Sequence, residues 1–124
     1  GYDNRSCGLR VPISSPENRR IENRLPGADA NPYLALAACL ISGYIGIRDK
    51  IEPSAMIEGS AYDKARTLPR TLDEALDRFS SCKPVIELLG EHFCSAFQRI
   101  KAHELAQFEG VISSWERDHL LLKV

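Results

Sequence analysis

With 124 residues, 44% of them hydrophobic, the chain can bury one modest core and has the usual length of a single domain. A formal net charge of −1 gives no global attraction to nucleic acid or to an anionic membrane, so neither is expected as a partner. Its four cysteines (Cys7, Cys39, Cys82, Cys94) form no C-x-x-C pair and stand at no zinc-ligand spacing from His92, His103 or His119, which points to buried free thiols of a cytoplasmic protein.

The chain opens on Gly1 and enters an arginine-bearing, strand-like stretch at once, as expected of a piece of a longer protein. Residues 1–24 hold Arg5, Arg10, Arg19, Arg20 and Arg24 and no lysine, against Asp3, Glu17 and Glu22. Arginine presents a planar fork that grips carboxylate or phosphate through two parallel hydrogen bonds, whereas lysine is a flexible point charge. Arg5 to Pro12 and Arg19 to Leu25 each read as a short strand, separated by the turn-forming cluster Ser14-Ser15-Pro16-Glu17-Asn18, so an antiparallel hairpin is expected. A period of two places Arg20, Glu22 and Arg24 on one face of the second strand, with Arg19, Ile21, Asn23 and Leu25 on the other. Arg5 and Arg10 differ in parity and share a cleft only if a bulge, for which Gly8 is the candidate, shifts the phase.

Pro26-Gly27 ends the strand, and Asn31-Pro32 supplies a cap and a first helical residue. Tyr33 to about Tyr44 is apolar or small at nearly every position, so this helix is expected to be buried on most sides, weakening and ending at Gly43 and Gly46. The longest nearly apolar run, Leu34 to Ile47, is shorter than the ~20 residues of a spanning helix, so a soluble protein is expected. Residues 48–70 are broken by Pro53, Gly59 and Pro69 and read as a long connection with at most a helical turn. Thr71 and Glu74 make a capping box for a short helix with the stripe Leu72, Ala75, Leu76 and Phe79. Pro84 to Leu89 is a further helical turn interrupted by Gly90. From Glu91 a long amphipathic helix is expected, with Phe93, Ala96, Phe97, Ile100, Leu105, Phe108 and Ile112 on its apolar face. Ser113 and Glu116 form a second capping box before a last helix holding Trp115, His119 and Leu120. The fold class is therefore α+β, a hairpin over residues 1–26 followed by a helical part over 27–124.

The constellation best able to do chemistry is Arg5, Arg10, Arg20, Glu22 and Arg24, a carboxylate alternating with guanidinium groups. On pattern alone the commoner meaning of such a strand face is a self-neutralising, solvated one. The histidines are single and show no H-E-x-x-H spacing, and Phe93, Phe97, Phe108 and Trp115 are expected as core anchors because no basic groove accompanies them.

Several blocks in fixed order change that weighing. Asn4-Arg5-Ser6, Leu9-Arg10-Val11-Pro12, Arg20-Ile21-Glu22-Asn23-Arg24 and Gly27-Ala28-Asp29-Ala30-Asn31-Pro32-Tyr33-Leu34, followed by Ala37-Ala38 and Gly43, resemble the C-terminal catalytic region of glutamine synthetases. Leu68-Pro69-Arg70-Thr71-Leu72 and the stretch from Phe108 to Trp115 are similar to it in a less distinctive way. The resemblance implies an ATP-dependent ligase that activates the γ-carboxylate of glutamate as an acyl phosphate and joins it to ammonia. ATP and Mg²⁺ or Mn²⁺ are the implied cofactors, in a large homo-oligomer with intersubunit sites. Carried over by motif, Arg5 contacts both glutamate and ATP and is the catalytic candidate, and Arg10 contacts the ATP phosphates. Glu22 ligates the nucleotide-associated metal, Arg24 holds the substrate carboxylate, and Arg20 lies on the nucleotide side.

Two departures stand out. Glu17 occupies a position where some bacterial members have a nucleotide-contacting lysine, and Tyr62 lies near the place where some are adenylylated but in poorly matching surroundings, so it is expected to be an ordinary loop tyrosine. Gly90-Glu91-His92-Phe93-Cys94 and Glu104 to Glu109 look more like the γ-glutamylpolyamine (putrescine) branch than the ammonia-using one. Because one carboxylate cannot supply the oxygens a divalent cation takes, the isolated chain is expected to be inactive. A non-catalytic structural module of the same family and a generic helical binding domain are the competing classes.

Overall fold

Asn4, Asn23 and Asn31 each turn a side-chain carbonyl back onto nearby backbone N–H groups, and these local bonds decide where the strands and the first helix begin and end. The computed structural model describes residues 3–121 and 123. Among them a two-stranded antiparallel sheet is followed by five α-helices, an α+β arrangement. The chain divides into two compact units between Thr67 and Leu68, inside the long connection.

In the first unit β1 (Leu9–Arg10) pairs with β2 (Glu22–Asn23), Leu9 opposite Asn23 and Arg10 opposite Glu22. The Arg24 N–H donates to the Gly8 carbonyl at 2.8 Å, extending the pairing slightly, and Asp3 N–H donates to the Val11 carbonyl at 2.9 Å. Both strands are much shorter than the seven or eight residues expected. Asn4 Oδ1 accepts the Ser6 N–H and closes a turn around Arg5, so Arg5 leaves the ladder through that turn and not through a bulge at Gly8. At the other end Asn23 Oδ1 accepts the Leu25 N–H and halts β2. A 3-10 turn, Pro16–Asn18, forms the tip of the hairpin.

α1 (Pro32–Arg48) starts as expected, with Asn31 accepting from the N–H groups of Tyr33 and Leu34 and proline in the first turn. It does not stop at Gly43 or Gly46. Two glycines cost about 1 kcal/mol each relative to alanine, too little to break a helix whose end is closed further on. That closure is a Schellman motif: Ile51 N–H donates to Gly46 O at 2.9 Å, Lys50 N–H to Ile47 O at 3.3 Å, and Lys50 takes the left-handed conformation at φ 51°. Burial on most sides is also not what the structure shows. Leu34, Ala37, Ile41 and Ile45 are half-buried along one face, while Tyr33, Leu36, Leu40, Tyr44 and Ile47 form an exposed apolar stripe on another. A helix apolar all round needs cover all round, and the first unit covers one side only.

In the second unit α2 (Leu72–Ser81), α3 (Lys83–Leu89) and α4 (Glu91–Glu109) pack together. Leu76 and Cys94 are the buried residues, and Phe79 meets Phe97 edge-on at 5.6 Å while Phe93 stacks on Phe97 at 6.1 Å. Thr71 caps α2 by accepting the Glu74 N–H, but the Glu74 carboxylate reaches Arg70 N–H and not that of Thr71, so half of the expected box is made. Gly90, at φ 85° and ψ 140°, ends α3 and begins α4. α4 stops at Glu109, which leaves Ile112 outside it. Ser113 and Glu116 complete both arms of the capping box of α5 (Ser114–Leu120). Of the four expected core anchors Phe97 is half-buried, whereas Phe93, Phe108 and Trp115 are exposed; α5 lies open along its length, and among the described residues Trp115 stacks on His119, at 4.5 Å. The four thiols are free, with Cys7 and Cys94 buried and Cys39 and Cys82 half-buried, so the expectation of buried thiols holds for two. No helix among the described residues is long and apolar enough to cross a membrane.

Candidate functional site

The register that sets Arg10 opposite Glu22 puts the two side chains on one face of the hairpin, at the separation where cross-strand pairs interact. Arg10 donates to Glu22 Oε2 through Nε at 2.9 Å, its Nη2 lies in ion-pair contact 2.7 Å from the same oxygen, and its Nη1 lies 3.3 Å from Asp3 Oδ1. Arg20 Nη2 reaches the other carboxylate oxygen, Oε1, at 3.2 Å. Glu22 thus bridges two guanidinium groups, and Arg10 is held between two acids, hydrogen-bonded to Glu22 and ion-paired with Asp3. The Arg10 side chain is 13% exposed and that of Glu22 28%, so the pair sits in a shallow recess of the surface.

The hydrogen bond from Arg10 holds the Glu22 carboxyl below the usual carboxylate range, against a smaller upward push from desolvation and with help from the charges of Arg10 and Arg20. Glu22 is therefore ionised at neutral pH. Asn23, the next residue along, donates through Nδ2 to Cys39 Sγ at 2.9 Å, which ties β2 to α1 and fixes the orientation of the strand bearing Glu22.

Of the five site residues expected from the sequence, Arg10, Arg20 and Glu22 come together in one ionic cluster. Arg5 and Arg24 stand outside it. Both are exposed, and no side chain among the described residues pairs with either guanidinium. The self-neutralising face that the bland reading expects is thus realised for Arg10 and Arg20 only. Residues 3–24 keep an excess of positive charge, five arginines against three acids, and Arg5, Arg19 and Arg24 are the guanidinium groups with no side-chain partner among the described residues.

Magnesium or manganese would require several oxygen ligands in near-octahedral array. Among the described residues no group of three or more histidine, cysteine, aspartate or glutamate side chains could hold an ion, and both Glu22 oxygens face guanidinium groups. These residues alone do not fit a divalent cation.

Glu17 lies exposed in the 3-10 turn at the hairpin tip, and Tyr62 is exposed in a 3-10 turn, Ala61–Asp63, of the long connection. The three histidines are all on the surface. Two features escape a reading of the sequence by strand parity. Asp3 becomes the second partner of Arg10, and Asn4 and Ser6, on either side of Arg5, bond to residues 57–61. The Asn-x-Ser spacing, which favours a turn closed by the asparagine side chain, was the available signal for the second.

Residues 1–120 match the family described as glutamine synthetase, catalytic domain. The chain is 37% identical over 120 residues to a glutamate–isopropylamine ligase of Pseudomonas sp., covering 94% of this chain and 26% of that protein. It is 38% identical over 129 aligned positions to a glutamine synthetase of Pyrococcus abyssi, covering 97% and 28%, and 34% identical over 122 to a γ-glutamylputrescine synthetase of Escherichia coli, covering 98% and 26%. The solved structure of apo GmaS without ligand superposes with a TM-score of 0.83 at 30% identity, over 97% of this chain and 28% of that one. The chain spans about a quarter of the length of the curated relatives it matches. With a family match over nearly its whole length, this chain belongs to the glutamine synthetase family.

Proposed function

We propose that the chain forms one wall of an ATP-dependent ligase site in which the glutamate γ-carboxylate is activated by phosphoryl transfer and then taken by ammonia or an amine. The observation that supports this most directly is the division of labour on the hairpin. Glu22 fixes Arg10 and Arg20 in place, while Arg5 and Arg24 remain exposed and uncompensated beside them. In phosphoryl transfer negative charge gathers on the moving group and on the carboxylate that attacks it, so guanidinium groups already in position lower the barrier without reorganising during the step.

In this reading Arg10 and Arg20 face the nucleotide phosphates, Arg5 touches both ATP and glutamate, and Arg24 holds the substrate carboxylate. The Arg10 hydrogen bond to Glu22 runs through Nε and leaves N–H groups on its two terminal nitrogens for that task. Glu22 would give an oxygen to an ATP-associated Mg²⁺ or Mn²⁺ only by exchanging a guanidinium contact for it, alongside ligands that are not among the described residues. A cytoplasmic, oligomeric enzyme accords with the free thiols and with the exposed apolar stripe of α1.

The acceptor is either ammonia or an organic amine, since relatives of similar identity are named for each: glutamine synthetase on one side, isopropylamine and putrescine ligases on the other. ADP release by the complete gene product, supplied with glutamate, ATP and in turn ammonia, isopropylamine or putrescine, tests the reading. Turnover with one of these is expected. A well-folded protein that releases no ADP with any of them would favour the non-catalytic module instead.

A further inference from the structure

The turn that presents Arg5 is held on both sides by one segment of the long connection. Asn4 donates through Nδ2 to the Gly59 carbonyl at 2.8 Å and to that of Ile57 at 3.2 Å. Its Oδ1 accepts the Ser6 N–H at 3.0 Å and the Ser6 hydroxyl at 2.6 Å. Ser6 Oγ in turn accepts the Ala61 N–H at 2.8 Å. The amide of Asn4 therefore uses both donors and both acceptor directions, the full capacity of that side chain.

Arg5 sits between these two residues and has no side-chain partner of its own among the described residues. Its backbone is placed by its neighbours, and they are placed by residues 57–61. Gly59 belongs to the same device. It adopts φ +74°, a conformation L side chains rarely take, and it is one of the two carbonyls that Asn4 reads. A Cβ there would meet nothing within 4 Å, so a substitution at Gly59 would act on the backbone direction and not through a clash.

We infer that Asn4 and Ser6 are positioning residues for Arg5, and that residues 57–61 set, through them, the direction in which the Arg5 guanidinium is offered to substrate. This rests on the proposed function, in which Arg5 contacts the ligand. Asn4→Asp illustrates the chemistry: it keeps the acceptor, loses both donors and sets a carboxylate against two carbonyl oxygens.

The test is kinetic and uses the complete gene product. Asn4→Ala and Gly59→Ala, each checked for an unchanged circular dichroism spectrum, are expected to lower kcat/KM for glutamate by about 10- to 100-fold, the scale on which a misplacement of about 1 Å acts. Ser6→Thr, which keeps the hydroxyl, retains activity that Ser6→Ala loses. In an Arg5→Ala background Asn4→Ala adds no further loss, because both changes disable the same group. Equal losses with and without Arg5, or a folded Gly59→Ala protein with unaltered kcat/KM, would overturn the inference while leaving the ligase reading intact. An Arg5→Ala protein as active as the unaltered one, or no ATP-dependent product at all, would remove the role of Arg5 and this inference with it.

Discussion

Glu22 accepts hydrogen bonds from two arginines, and this governs how it titrates. Its pKa is lowered, first by the Arg10 hydrogen bond, so the contribution of the network is fully present above the ordinary carboxylate value and is lost as the pH falls through the lowered one. A carbon-detected NMR titration of the 124-residue chain should place the Glu22 midpoint below the ordinary range, and Arg10→Gln should move it upward. An unchanged midpoint in Arg10→Gln would mean that the bond is not made in solution. The pairing partner was only half legible in the sequence. Strand parity grouped Arg20 with Glu22, because the period of two is local. It could not set Arg10 against Glu22, because that depends on a register fixed by the loop between the strands, and this loop carries no two-residue turn signature. Arg5 and Arg24 could be marked by motif, whereas their lack of partners is a three-dimensional fact.

Among the elements, helix ends divide into those written in neighbouring residues and those that are not. The Ser113–Glu116 box and the Asn31 cap were readable because each is closed within three residues. Replacing Ser113 by alanine should destabilise α5 itself by about 1 kcal/mol, read as faster amide hydrogen exchange in that helix. The end of α1 was misplaced because glycine signals a C-terminus only where the following bonds close, and they close around Lys50 instead. A lysine held left-handed is strained, so Lys50→Gly is expected to raise stability by about 1 kcal/mol, while unchanged or lower stability would contradict the Schellman assignment. Gly90 makes the opposite case. At φ 85° and ψ 140° it occupies a region nearly reserved for glycine, with open space where a Cβ would go. Gly90→Ala should cost roughly 1–3 kcal/mol by backbone strain alone. Thermal melts of the two variants beside the parent chain decide both.

At the scale of the molecule, the exposed stripe Tyr33, Leu36, Leu40, Tyr44 and Ile47 is the feature furthest from what the sequence led us to expect. Its composition was legible, and its burial was not, since cover for a helix comes from elements distant in sequence. Each such side chain is worth about 1.5–3 kcal/mol when fully buried, so the isolated chain should bind a hydrophobic dye through this face, and Leu36→Glu with Leu40→Glu should reduce the signal. The same chain should release no ADP from ATP and glutamate on its own, because a divalent cation takes several oxygen ligands and no group of three or more acids, histidines or cysteines among the described residues could hold one. The central claim is that the exposed guanidinium groups of the hairpin bind the substrate anion and are not needed to hold the fold. Glutamate KM of the complete gene product, compared with that of Arg24→Ala, addresses it most directly. The account predicts a rise of about 100-fold at an unaltered melting temperature, the loss expected for a charge-assisted pair. An Arg24→Ala protein with the glutamate KM of its parent would contradict it.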